Sequence, residues 1–230
     1  LHGNVLLINT GEQNILIDAG LPTGPGSLVA NLAQAGVAAD QIDIVIVTHG
    51  DGDHIGGLAN YPNAKIVTPS HAYTLWTEDT DGMVEDFLKL FRDVQTAEEL
   101  AATAAGRAKY ANVLRNLGDR LVMVEPGEEI AAGITMISAP GHRRDHMAVE
   151  VRSGDDVLLH VADAWRHPVQ LARPDFYGLF DSFPDILADT MLSLLERAAE
   201  TDALVFGAHF SFPALIKIKK EDGQFHWIDL

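Results

Sequence analysis

The sequence predicts an α/β fold with two sheets, and three observations predict it. Apolar runs rich in β-branched residues, such as 42–47, 64–68 and 134–138, are too short for stable helices and read as strands. Longer stretches with apolar residues at helical spacing, above all 184–200, lie between such runs. After residue 120 the strand signals crowd together with turn residues between them, which marks a second sheet.

In order, residues 5–8 and 14–17 flank the turn Asn9-Thr10-Gly11-Glu12 and predict a hairpin, closed by Asp18-Ala19-Gly20. A glycine- and proline-rich loop at 22–26 follows. Ser27 is placed to cap a short helix with Leu28, Val29 and Leu32 on one side and Gly36 as its stop. Strand 42–47 runs into a polar, glycine-rich loop, and Gly56-Gly57-Leu58 is expected to open a helix whose free N–H groups face back toward it. Strand 64–68 is followed by a helical insertion, about 70–117. There Trp76, Met83, Phe87, Leu90, Phe91 and Val94, then Tyr110, Val113, Leu114 and Leu117, recur at helical spacing. These are expected to pack on the core, with a lid over a pocket as the alternative use of the insertion. Short strands at 120–124, 129–130, 134–138, 147–151 and 157–161 form the second sheet. Asp181 or Ser182 is expected to cap helix 184–200, whose apolar face carries Leu187, Met191, Leu194, Leu195 and Ala198. A strand at 203–206 and a hairpin turning at Asp222-Gly223 end the chain, with Lys217 and Lys219 as solvent charges.

At 230 residues the chain is long enough for one large domain, expected to span 1–230. Because it opens almost inside a strand, a missing preceding segment is expected, and the compartment, cytoplasmic or exported, stays open. A soluble protein is expected, since no apolar run approaches the ~20 residues that span a bilayer. With 33 acidic against 16 basic residues, the net charge of -17 argues against nucleic acid or an anionic membrane as partner. The absence of cysteine excludes disulfides, thiolate metal sites and a cysteine nucleophile. A small-molecule substrate is the expected partner, and a homodimer the assembly to test.

The chemistry concentrates in Thr48-His49-Gly50-Asp51-Gly52-Asp53-His54, just past a strand end. Gly50 and Gly52 let the backbone fold tightly, so that His49, Asp51 and Asp53 point one way and His54 turns in from the next helical segment. Imidazoles and carboxylates so clustered are a ligand set for zinc, iron or manganese. The plainer reading is an acidic turn with incidental histidines; a calcium loop lacks its acidic spacing. Other strand ends deliver His142 after Pro140-Gly141, Asp163 before Ala164-Trp165, and His209 after Gly207-Ala208.

This ordered set resembles the metallo-β-lactamase superfamily over nearly the whole chain. The resemblance implies a four-layer αββα sandwich and a dinuclear metal site. One ion would be held by His49, Asp51 and His142, the other by Asp53, His54 and His209, with Asp163 bridging and His146 standing behind the ligands. Asp51 departs from the family motif His-x-His-x-Asp-His, where histidine is usual. A carboxylate there adds charge and a harder donor, so iron or manganese gains ground on zinc, the metal otherwise expected. His2, His71, His160, His167 and His226 match no motif and are expected at the surface or in ordinary hydrogen bonds.

The resemblance implies a hydrolase in which the metal pair acidifies a water and stabilises an oxyanion, and Asp53 also orients the nucleophile and passes a proton to the leaving group. The close of the chain, Gly207-Ala208-His209-Phe210-Ser211-Phe212-Pro213 with Trp227, is similar to the methyl-parathion-hydrolase-like and lactonase-like branch. An ester, lactone or phosphotriester is therefore the expected substrate class. Trp165 and Phe210, with Phe176, Phe180 and Phe212, are the expected pocket lining or, equally, core. Two other classes compete: a di-iron oxidoreductase related to flavodiiron proteins, favoured by Asp51 alone, and a binder that kept the fold without catalysis.

Overall fold

The computed structural model describes residues 3–22, 27–78, 96–173, 175–178 and 180–230. They divide into two compact units, Val5–Glu125 and a second built from Pro126–Leu230 with Asn4.

In the first unit, β1 (Leu6–Asn9) and β2 (Asn14–Ile17) form the expected antiparallel hairpin. Next, β3 (Ile44–Ile46), β4 (Lys65–Pro69) and β5 (Leu121–Val124) add in parallel, giving a five-stranded sheet in chain order. The central strands are buried along almost their whole length, which is why they read as unbroken apolar runs. Leu16, Val45 and Ile66 stand in register across three strands and share one core cluster with Leu58, Trp76 and Leu114.

Four α-helices lie in this unit among the described residues, α1 (Leu28–Gln34), α2 (Gly52–Ile55), α3 (Ser70–Thr77) and α4 (Ala97–Arg115), with short 3-10 turns between elements. Ser27 caps α1 by accepting the Ala30 N–H, and Gly36, at φ 82°, follows its end. Thr96 and Glu99 close a reciprocal capping box on α4. Trp76, Leu114 and Leu117 are buried in the core, with Tyr110 and Val113 packed against it; Met83, Phe87, Leu90, Phe91 and Val94 lie outside the described residues. The helix expected from Gly56-Gly57-Leu58 is a single 3-10 turn, Leu58–Asn60, with Gly57 at its cap position. A separate helical turn, α2, precedes it from Gly52, and Gly57 also lies so close to the chain that a Cβ would sit 2.1 Å from the Ala19 carbonyl oxygen. Gly57 thus serves a close backbone approach as well as the start of that turn.

The second unit holds a seven-stranded sheet in the order β12-β11-β10-β9-β8-β7-β6. Its strands are β6 (Glu129–Ala131), β7 (Ile134–Ser138), β8 (Met147–Ser153), β9 (Asp156–His160), β10 (Leu204–Phe206), β11 (Leu215–Glu221) and β12 (Gln224–Asp229). Only β9 and β10 pair in parallel within it, and the connection between them carries α5 (Val169–Ala172) and α6 (Pro184–Glu200). Leu187, Met191, Leu194, Leu195 and Ala198 are the buried face of α6, as expected from their spacing, and the helix lies against β11. Asp222 and Gly223 turn the last hairpin with φ of 50° and 77°, as a tight two-residue turn requires. The expected cap on α6 is absent. Phe183 occupies the cap position without a side-chain bond, because Asp181 is engaged elsewhere.

Among the described residues no helix is long and apolar enough to cross a membrane.

Candidate functional site

The first unit carries four of the sequence-predicted donors on the loop and turn that follow β3. Strand packing ends at Val47, and Thr48 then anchors the loop from within: its N–H and hydroxyl donate to the Asp18 carboxylate at 2.8 and 2.9 Å. Having spent its one proton there, the Thr48 oxygen can accept from His49 Nδ1, 3.1 Å away. Asp18 Oδ2 also takes His54 Nδ1 at 2.7 Å. Both imidazoles are thus held by Nδ1, which leaves Nε2 as the donor nitrogen of each. His49 and His54 are buried, with ring centroids 4.0 Å apart. His49 Nε2 lies 3.8 Å from Asp51 Oδ2, and His54 Nε2 lies 3.8 Å from Asp53 Oδ2. Asp51 stands at the cap of α2 yet makes no cap bond; its Oδ1 instead takes Arg107 Nη2 of α4 at 3.0 Å.

Three more donors lie in the second unit. His142 follows Gly141, whose φ of 134° and contact with α6 leave no room for a side chain: a Cβ would meet Leu187 Cα at 2.4 Å. Asp181 Oδ1 takes His142 Nδ1 at 2.8 Å. Arg166 Nη2 is also 2.7 Å from that nitrogen, but it could only donate to a bare Nδ1, and the charged acceptor has the stronger claim on the ring proton. Burial pushes the Asp181 carboxyl up, but the His142 hydrogen bond and the Arg166 charge outweigh it and hold the group down to about 2. Asp163 follows Ala162, at φ 45°, past the end of β9. Its Oδ2 lies 3.5 Å from His142 Nε2 and 3.1 Å from His209 Nε2. His146 bonds the Ala139 carbonyl through Nδ1 at 2.8 Å, and its Nε2 accepts the Asp163 N–H at 3.0 Å. Its ring therefore fixes the backbone that carries Asp163.

The donors fit divalent metal ions. Two donors on one ion, each ~2.0–2.2 Å from it, stand about 3–4 Å apart, and the four imidazole–carboxylate spacings within the units, 3.1 to 3.8 Å, fall in that range. Each Nδ1 partner described above is the kind of outer brace that metal-binding histidines use.

The sequence model of the metallo-beta-lactamase superfamily matches residues 1–209. The chain belongs to that superfamily. Superfamily relatives include probable metallo-hydrolases of Mycobacterium bovis and Mycobacterium tuberculosis, each 27% identical over 199 residues, covering 71% of this chain and 57% of their own length. The chain thus spans little more than half of these curated relatives. Among solved structures, AidC, a dizinc quorum-quenching lactonase in complex with a product, superposes with a TM-score of 0.85 at 25% identity, covering 99% of this chain and 79% of that one. An N-acyl homoserine lactone hydrolase with product at its catalytic metal centre has a TM-score of 0.61 at 18% identity, covering 91% and 85%, a likeness of fold. The two sheets and their helices are the α/β architecture expected of this superfamily.

Trp165 and Phe210 are both buried, with rings 6.4 Å apart, and Phe210 stacks edge-on with Trp227 at 4.5 Å. Phe176, Phe180 and Phe212 are exposed. Of the unmatched histidines, His71, His167 and His226 are exposed and His160 is buried, stacked on Phe206 and accepting the Ala162 N–H; His2 lies outside the described residues. Sequence reasoning missed Arg107, Arg166 and Asn4, and read Asp18 only as a strand end and Asp181 only as a cap. The Asn4 amide donates to the carbonyls of Ala208 and Phe210 at 3.0 and 2.8 Å and braces the turn that presents His209. A carboxylate directly after the apolar run Ile15-Leu16-Ile17 of β2 was the available signal for Asp18; the others act across too many residues to show locally.

Proposed function

We propose that the chain is a metal-dependent hydrolase of an ester, lactone or phosphotriester. His49, Asp51, Asp53 and His54 of the first unit and His142, Asp163 and His209 of the second are its ligands to two divalent ions. The observation that carries this reading is Asp163 Oδ2, one carboxylate oxygen within 3.5 Å of two different histidine Nε2 atoms. A shared oxygen of that kind suits a bridging ligand.

When bound, the ion pair supplies a water acidic enough to attack near neutral pH and positive charge for the developing oxyanion. This chain's residues do the rest. Asp18 and Asp181 hold the proton on Nδ1 of His54 and His142, so that Nε2 is the atom each ring would offer to an ion. His146 keeps the Asp163 backbone from turning away. Asp53, whose side chain is partly exposed, would take a proton from the attacking water and hand it to the leaving group.

For the substrate class, support comes from the likeness to a lactonase over nearly the whole chain and from the exposed Phe176, Phe180 and Phe212, which suit an apolar substrate better than the interior Trp165 and Phe210 do. The di-iron reading rests on Asp51, and the Arg107 guanidinium on that carboxylate offsets the extra charge that favoured iron. Zinc, manganese and iron forms assayed against lactones, aryl esters and phosphotriesters should show turnover with at least one metal. Turnover in none would refute the hydrolase.

A further inference from the structure

We propose that Arg107 is the positioning residue that makes Asp51 a metal ligand, so that the Asp51–Arg107 pair replaces, as a unit, the neutral histidine usual at this place in the superfamily. This rests on the metal-ligand reading above. A carboxylate differs from an imidazole in two ways that matter to an ion: it has two equivalent donor atoms, and it carries a charge. Arg107 answers both.

Arg107 Nη2 takes Oδ1 of Asp51 at 3.0 Å, and the other oxygen, Oδ2, is the one 3.8 Å from His49 Nε2. The carboxylate is thereby turned so that a single oxygen shares the side of the His49 donor, as one imidazole nitrogen would. The Arg107 side chain is 7% exposed, so its positive charge favours an anion beside it. Asp51 is such an anion, and within this pair the two charges offset one another, as suits a position where a neutral histidine is usual.

The helix holding Arg107 is itself seated on the loop. Arg107 Nη1 reaches the Gly50 carbonyl at 3.5 Å. Three residues on, the Tyr110 phenol oxygen lies where a Cβ on Gly52 or Gly56 would meet it at 3.2 or 3.3 Å. Arg107 and Tyr110 share one face of α4 by their spacing. The two glycines admit the tyrosine, the tyrosine sets how deep the helix lies, and that depth brings the guanidinium within reach of Asp51.

The experiment titrates zinc and manganese into metal-free wild type, R107M, D51H and D51H/R107M by calorimetry, with bound metal counted by mass spectrometry. In R107M one metal should bind about 10–100-fold more weakly while the other is unchanged, the loss typical when a ligand's outer partner is removed. D51H should lose a similar factor, because it leaves the guanidinium beside a neutral ring, and D51H/R107M should regain most of it, a non-additivity that a general packing role would not produce. R107M loading both metals as tightly as wild type would overturn the proposal, and so would a double variant no better than R107M. Should R107M melt early without metal, R107K, which keeps the charge, takes its place and should retain more affinity than D51H; equal loss overturns the proposal. Wild type failing to take two metals would show up before any variant is compared, and it would remove the metal-ligand reading itself.

Discussion

Asp18 occupies the left-handed region, at φ 71°, where aspartate is tolerated better than most side chains. That backbone turn aims one carboxylate at Thr48 and His54 together. Asn at this position keeps the shape and the turn but loses one acceptor oxygen. D18N should therefore fold normally and bind metal about 10–100-fold more weakly, read by competition with a chromophoric chelator. Unchanged affinity would reduce Asp18 to a turn residue. Asp181 plays the corresponding part for His142, and its low pKa follows from the same contacts that orient the ring. Among the described residues, the hydrogen bonds that orient His54 and His142 come from carboxylates of their own unit, so each ring is held by the fold itself.

At the scale of elements, α6 fixes the turn before His142 by contact. The Leu187 backbone fills the space beside Gly141, and Phe183 and Ser182 donate to the Gly141 and His142 carbonyls at 2.9 and 3.0 Å. G141A should cost about 1–3 kcal/mol, seen as a lower Tm in metal-free protein, because the new methyl meets main chain that cannot swing aside. The same helix is tied to β8 through Glu150, which takes Arg197 at 2.6 Å and Arg152 at 2.7 Å. Burial pushes the Glu150 carboxyl up, but the hydrogen bonds and charge of the two arginines outweigh it and hold the group below its ordinary 4.5. A carboxyl lowered on folding adds stability above its unfolded value and loses it as pH falls through the folded one. Wild type should therefore melt higher than E150Q at neutral pH, with the gap closing below pH 4.5; a gap constant with pH would show that charge plays no part.

For the whole molecule, metal and fold should be linked. With free zinc at 100 times its dissociation constant, one site contributes about 2.7 kcal/mol, or roughly 5–10 °C in Tm for a chain of this size. Stripping with a chelator should lower Tm by that order, and added metal should restore it; a Tm indifferent to both would separate metal binding from stability. Most of the architecture was legible, because strands such as Ile134–Ser138 and the face of α6 follow periodicities that burial itself imposes. What escaped were features decided by distant neighbours. Gly57 heads a 3-10 turn, but its close contact with Ala19 carries no local mark, and Asp181 imitates a cap until His142 claims its carboxylate. The donor-bearing strand ends could be found because ligand chemistry restricts residue type, whereas a brace such as Asn4, over 200 positions from its partners, carries no local mark. Arg107, 56 positions from Asp51, is the same kind of case. Its pairing also bears on how chains of this fold diversify. The helical stretch looks like a block that lineages could exchange freely, yet a graft bringing a different residue to position 107 would strand the carboxylate at 51. The two positions should therefore change together, and chimeras that swap the block alone should inherit a defective loop they did not alter.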